Sequence, residues 1–113
     1  MMSPSFEHDA AGEMLALFIR TLAQEVKLPI KGAGSTTFRR QDLERGLEPD
    51  RCFYIRDEAR IRGIRQLDLR RDPPPDLAIE VEISHRLLNR VGIYAALGVA
   101  ELWRYDGKRL QIH

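Results

Sequence analysis

Residues 75–83 read Pro-Asp-Leu-Ala-Ile-Glu-Val-Glu-Ile, and they contain the clearest strand pattern in the chain. Its apolar positions 77, 79, 81 and 83 alternate with positions 76, 78, 80 and 82, three of which are acids. Strict alternation is typical of a β-strand whose two faces differ. Prolines at positions 73–75 add a stiff, extended lead-in. We therefore predict a strand over residues 76–84.

Downstream of this strand, the sequence predicts a helix and a hairpin. Residues 86–97 have apolar side chains at helical spacing, and Gly98 stands where helices commonly stop. Residues 99–105 and 109–112 flank Asp106-Gly107, a dipeptide that strongly favours a β-hairpin. Its last strand is predicted to be a sheet edge, which needs a cover or a partner. A homodimer or a longer chain would supply one.

Upstream, an apolar residue recurs at every fourth position, at Met14, Phe18, Leu22 and Val26. This spacing predicts a long amphipathic helix over residues 5–27. The other upstream predictions are a short strand or loop over 29–37, a short helix over 39–45, a strand within 47–57, and a loop with a weak strand over 58–72. The pattern as a whole is α/β, and one domain over residues 1–113 accounts for it.

Composition excludes several classes of protein. The chain has 18 Lys and Arg against 17 Asp and Glu, and 43% of its residues are hydrophobic, as in an ordinary globular domain. It shows no apolar run near the roughly 18 residues of a membrane span and no export leader, so we expect a cytoplasmic protein without membrane contacts. A lone Cys52 and three scattered histidines exclude a disulfide framework and a thiolate zinc site.

Arginine supplies 15 of the 18 basic residues, and six of them fall within residues 56–71. Because arginine binds phosphates through two parallel hydrogen bonds, this segment is a candidate contact for a nucleic-acid backbone. The same segment contains Asp57, Glu58 and Asp68. A solvated face with internal ion pairs is therefore the simpler interpretation.

The acids of the 76–84 strand suit a divalent cation, which prefers oxygen ligands. Along a strand, Asp76 and Glu80 lie roughly 13 Å apart, whereas Glu80 and Glu82 lie at about half that distance. A further acid must come from a neighbouring strand, and Asp50, at the start of the next strand, is the natural supplier. A half-exposed antiparallel strand with a polar outer face explains the same alternation.

Three stretches carry a resemblance to a known family: Leu-Glu-Pro-Asp at 47–50, the 75–83 stretch, and NRVGIYAALGVAELWRYDG at 89–107. Together they resemble the Uma-type putative restriction endonuclease family of the PD-(D/E)XK nuclease superfamily, over about residues 3–113. The chain looks truncated after the final hairpin. The resemblance implies a restriction-endonuclease-like α/β core, in which a mixed β-sheet is flanked by the long N-terminal helix and a second helix near residues 86–97.

The resemblance also implies a function, the metal-dependent hydrolysis of phosphodiester bonds in DNA. Asp50 and Glu80 would hold Mg²⁺ or Mn²⁺, with Asp76 as a secondary ligand. The family's Glu-x-Lys pattern places lysine at position 82, where this chain has Glu82, and the basic residue moves to Arg90. Arginine can clamp a phosphate but cannot take a proton from water. Pairing of Arg90 with Glu80 or Glu82 is the simpler structural alternative.

Two other functions stay open at this stage. A catalytically inactive nuclease-fold protein would act as a DNA-binding or dimerisation module, and a purely structural dimer would bind no nucleic acid. Binding of a divalent ion separates the enzyme from the inactive module. We expect no small-molecule cofactor. His8 is either a helper acid or base or a structural residue, and Trp103 and Tyr105 suit a core and its rim better than a base-stacking platform.

Overall fold

The computed structural model describes residues 6–34, 38–40, 45–47, 49–82 and 91–113. The helices are α1 (Phe6–Glu25), α2 (Glu58–Ile61) and α3 (Val91–Leu97). The strands are β1 (Lys31–Gly32), β2 (Phe38–Arg40), β3 (Arg45–Leu47), β4 (Arg51–Tyr54), β5 (Leu77–Val81), β6 (Glu101–Tyr105) and β7 (Leu110–Ile112). Five strands form one sheet in the order β1-β4-β5-β6-β7, and β2 pairs with β3.

Strand β5 is the centre of the sheet. It pairs antiparallel with β4 and parallel with β6, with Ala78 between Cys52 and Leu102. All five of its residues are buried. The predicted strand and the mixed α/β sheet are therefore confirmed. A half-exposed strand with a polar outer face is the wrong interpretation, because side chains from α1 and α3 cover the two faces.

Each face of the sheet has its own apolar core. Alternation along β5 sends Leu77, Ile79 and Val81 to the face that packs against Ile19 of α1. Ala78 lies on the opposite face, where α3 packs. The helix at each face thus excludes water from one row of β5 side chains.

Helix α1 is confirmed, but its most regular apolar row does not face the core. Its buried residues are Gly12, Ile19 and Ala23. The row of Met14, Phe18, Leu22 and Val26 is instead 46% to 72% exposed. Small residues let the helix approach closely, and at Gly12 the Arg51 guanidinium comes within 3.6 Å of where a Cβ would stand. The small-residue face, rather than the larger apolar row, therefore meets the sheet.

Two local predictions are wrong. The predicted helix over 39–45 is wrong, since Phe38–Arg40 and Arg45–Leu47 pair as antiparallel strands, and residues 41–44 lie outside the described residues. A helix of seven residues has little stability of its own, and cross-strand hydrogen bonds outweigh its weak propensity. The segment 58–72 contains the short helix α2 and turns in place of a weak strand.

The C-terminal hairpin is confirmed. Gly98 and Gly107 have φ angles of 88° and 96°, in the left-handed region that glycine adopts without strain. The Asp106 carboxylate accepts hydrogen bonds from the backbone N–H groups of Lys108 and Arg109 at 2.9 and 2.8 Å, which closes the turn. Trp103 is buried and Tyr105 half-buried, as core and rim.

Among the described residues, no helix combines the length and the apolar character needed to cross a membrane.

Candidate active site

Two Pro-Asp dipeptides begin the antiparallel strands β4 and β5, so the two aspartates lie at opposite ends of this strand pair. Arg51 pairs with Ile79 in the register. One further step along the same register places Asp50 opposite Glu80. The two residues that the sequence favours as metal ligands therefore belong to the same end of this strand pair.

Asp50 is fixed by contacts at both carboxylate oxygens. Its Oδ2 accepts a hydrogen bond of 2.7 Å from the backbone N–H of Val81 on the neighbouring strand. Its Oδ1 lies 3.2 Å from Nε2 of His8, which comes from the first turns of α1. Both side chains are partly exposed. Asp50 is thus held beside β5 while its carboxylate still reaches solvent.

Glu80 is the most deeply buried acid of the site, with 5% of its surface exposed. Its Oε1 accepts a hydrogen bond from the hydroxyl of Tyr94 on α3. A buried carboxylate needs such donors because desolvation is costly. The contact fixes the orientation of the Glu80 side chain against α3.

Glu82 follows β5, and its backbone N–H donates a 2.8 Å hydrogen bond to the carbonyl of Tyr105. In the described part of the chain its Oε2 is buried and has no hydrogen-bond partner. A buried polar atom without a partner costs free energy, and an ion or water commonly satisfies it. The orphaned oxygen lies two residues from Glu80, so it is consistent with a cation at this end of the sheet.

The described residues include no group of three or more His, Cys, Asp or Glu side chains arranged to hold a metal ion. The acids near the end of β5 nevertheless offer only oxygen donors, which suit Mg²⁺ or Mn²⁺. Mg²⁺ commonly keeps several waters and is held by one or two carboxylates. The carboxylates of Asp50 and Glu80 are of the donor type that such an ion takes.

Asp76, the secondary ligand candidate, is not brought to the other acids. Its Oδ2 accepts hydrogen bonds from the backbone N–H groups of Ile55 and Asp57 at 2.7 and 3.0 Å. It stands before β5, roughly 13 Å from Glu80 along the strand. In this position Asp76 closes the turn that follows β4.

Two site contacts went beyond what the sequence could show. The helical spacing of residues 86–97 includes Tyr94 as an apolar position, but a buried tyrosine hydroxyl usually needs a partner, and here it bonds to Glu80. The sequence marks His8 as a helper or a structural residue and does not predict its contact with Asp50. Arg90 lies outside the described residues.

The arginine-rich segment is dominated by internal ion pairs. Arg56, Arg60, Arg62, Arg70 and Arg71 each have an acidic oxygen within 4 Å, supplied by Asp57, Asp76, Glu58 or Asp68. Hydrogen bonds from Arg70 lower the pKa of Asp68 to about 2, and one from Arg62 lowers the pKa of Glu58. The interpretation as a solvated, internally paired face is therefore confirmed for these five arginines.

Comparison with known families identifies the chain. The model of the Uma2 family, described as putative restriction endonuclease, matches residues 1–113. The chain therefore belongs to this family, which confirms the resemblance seen in the sequence and agrees with the mixed sheet and its helices. The family description points to nuclease function with DNA as the substrate, and proteins with this fold usually use divalent metals. No curated protein matches the chain.

Proposed function

We propose that this Uma2 family member is a metal-dependent endonuclease that hydrolyses phosphodiester bonds in DNA. The observation that supports the proposal is the register of β4 and β5, in which Arg51 pairs with Ile79, so that the adjoining residues Asp50 and Glu80 belong to the same end of the strand pair. We further propose that the enzyme acts in the cytoplasm as a homodimer. The exposed edge strand β7 supports the homodimer.

In this proposal Asp50 and Glu80 hold Mg²⁺ or Mn²⁺. The Val81 N–H and His8 orient Asp50, while the Tyr94 hydroxyl orients Glu80. Such an ion, when bound, polarises the scissile phosphate and lowers the pKa of an attacking water. The protein contributes two carboxylates whose positions are set before substrate arrives, which lowers the cost of assembling the site.

Two further residues complete the proposed machinery. Arg90 carries a permanent positive charge and would stabilise the negative charge that develops on the phosphate. Glu82, with its orphaned Oε2, would add an acceptor beside Glu80. Because Glu82 replaces the family's lysine, the site has no lysine to orient the attacking water at that position.

The experiment is a nicking assay on supercoiled plasmid with Mg²⁺ or Mn²⁺, a chelator arm, and the variants Glu80→Gln and Glu25→Gln. Glu80→Gln keeps the shape of the side chain and an acceptor for Tyr94, while Glu25 is an exposed acid on α1 and serves as the matched control. Nicking that needs metal and Glu80, but not Glu25, is the expected result. No nicking by folded protein with either ion would overturn the proposal.

An inactive nuclease-fold protein is the second candidate, and two observations favour it. Glu82 stands at the lysine position, and the described residues lack a preformed three-ligand group. Such a protein would bind DNA or dimerise without a Mn²⁺ site. Calorimetric titration with Mn²⁺ separates the candidates, because the enzyme must show binding that Glu80→Gln weakens.

A further inference from the structure

Helix α1 presents an apolar row of four side chains to solvent. The row consists of Met14, Phe18, Leu22 and Val26, and the helix around it has four acids but a single arginine, Arg20. The Arg20 guanidinium stacks over the ring of Phe53 at 5.6 Å, so it is directed at the sheet. A helix with this charge balance disfavours DNA and suits a protein partner.

The row continues into a larger apolar surface. Phe18 contacts the buried Trp103, with ring centroids 6.3 Å apart. A groove of about 470 Å³ lies beside the helix, and its lining includes Leu22, Val26 and Trp103. Trp103 pairs with Ile112 of the edge strand, which places the exposed Ile112 side chain on the same face. We call this continuous region the α1 surface.

The size of the α1 surface approaches that of a stable interface. Its seven large apolar side chains are partly exposed: Met14, Phe18, Leu22, Val26, Leu28, Leu110 and Ile112. Fully burying a side chain of this kind is worth about 1.5–3 kcal/mol at about 25 cal/mol per Å², or about 60–120 Å² each, so these partly exposed ones supply roughly 300 Å² of apolar area. Standard interfaces bury about 800 Å² per partner, of which about 450 Å² is non-polar. Exposed apolar patches of this size mark protein contacts.

We propose that the α1 surface binds a second copy of this chain, with the two α1 helices packed antiparallel about a twofold axis. The row is symmetric about the point midway between Phe18 and Leu22. A twofold axis there sets Met14 against Val26 of the second copy, and Phe18 against Leu22 of the second copy. A surface that matches itself is what a twofold dimer requires, and residues spaced by four form ridges that interlock between helices.

The apolar row of α1 is separate from the candidate active site, to which the helix contributes only His8. Helix α1 covers the face of the sheet that bears Ile79, whereas Glu80 and Tyr94 contact each other on the α3 face. The α1 interface specifies the homodimer of the proposed function and does not depend on its metal chemistry, so a monomeric protein would overturn the dimer and leave the nuclease activity to be tested on its own.

Sedimentation equilibrium over a range of concentrations tests the proposal on the full chain. The wild type is expected at about twice the 13.0 kDa of one copy. Met14→Lys and Val26→Glu each place a charge in the interface and are expected to weaken dimerisation roughly hundredfold. Leu17→Lys is the matched control, because Leu17 is 65% exposed on α1 but lies off the row. All three positions are exposed, so the variants should keep the wild-type circular dichroism spectrum.

Mixing Met14→Lys with Val26→Glu tests the axis itself. The proposed packing sets these two positions against each other, so the mixture is expected to recover the dimer. A monomeric wild type, a control as damaging as the row variants, or no recovery in the mixture would overturn the proposal.

Discussion

The two ends of the β4–β5 pair use the same dipeptide for different purposes. At each end an aspartate follows a proline, precedes a strand, and accepts a 2.7 Å hydrogen bond from the backbone of the partner segment. At one end Asp76 takes a second backbone N–H and closes a turn. At the other end Asp50 has His8 at its second oxygen and Glu80 opposite it in the register.

The Pro-Asp dipeptide alone therefore does not determine the role of its aspartate. Both aspartates are anchored by backbone N–H groups, so anchoring is common to the two ends. What separates them is the neighbour across the strand pair, which is an acid for Asp50 and the aromatic Tyr54 for Asp76. Two carboxylates at neighbouring positions of a strand pair can share a cation, whereas one that already accepts two amide hydrogen bonds is satisfied.

The largest expected effect is at the Asp50 end. Asp50→Asn should lower metal-dependent nicking by more than about a hundredfold, the upper end for residues that only support a metal ligand. Asparagine keeps an acceptor for the Val81 N–H, so the midpoint of urea unfolding should change little. Initial nicking rates at saturating Mn²⁺ provide the measurement. A variant with full activity would remove Asp50 from the proposed site.

The second effect is on stability, at the Asp76 end. Asp76→Ala leaves two backbone N–H groups without their acceptor and should lower the free energy of unfolding by about 2–4 kcal/mol. Urea denaturation followed by circular dichroism provides the value. At temperatures where the variant is folded, its Mn²⁺ affinity should match the wild type. A selective loss of Mn²⁺ binding would instead make Asp76 a ligand and break the distinction between the two ends.

A smaller effect is expected from Tyr94→Phe, which removes only the hydroxyl that orients Glu80. Outer contacts of this kind are worth about 10–100-fold in metal affinity. Calorimetric titration with Mn²⁺ should therefore show weaker binding with little change in stability. Tyr105→Phe is the comparison variant on the hairpin. Equal effects from both substitutions would contradict the orienting role of Tyr94.

The smallest effect concerns Cys52, in the middle of the strand pair. Its side chain is 0% exposed, and burial raises the pKa of the thiol to about 12 from the ordinary 9.0. A raised pKa means that the protonated thiol contributes stability at pH values below 9, and this contribution is lost as the pH rises from about 9 towards 12. Unfolding at pH 8 and pH 10 should show the decline, and Cys52→Ala should flatten it.

Sequence reasoning succeeded where the determinants are local. Alternation predicts β5 and Asp106-Gly107 predicts the hairpin, and the structure confirms both. The choice of Glu80 over Asp76 as the partner of Asp50 stays a prediction. Sequence reasoning failed for features that depend on contacts between residues far apart in the chain. Periodicity groups Met14 with Phe18, but it does not say whether that group faces the sheet.

The contacts of the site are long-range in the same sense. His8 reaches Asp50 across 42 positions of the chain, and no local pattern encodes that approach. The hydroxyl of Tyr94 finds Glu80 only because α3 packs over β5. The short helix over 39–45 failed for a related reason, since strand pairing overrode a weak local preference. The role of Arg90 stays a prediction.

The parallel pairing of β5 with β6 affects how substitutions can change the candidate site during evolution. Parallel neighbours need a crossover, and here α3 lies within it, so β5, α3 and β6 form one βαβ unit. In open α/β sheets, ligands bind in the crevice beyond the carboxyl ends of the strands, which is where Glu80 and Glu82 stand. Substitutions in the crossover could therefore reshape what enters the crevice while the strand ladder that supports it stays intact.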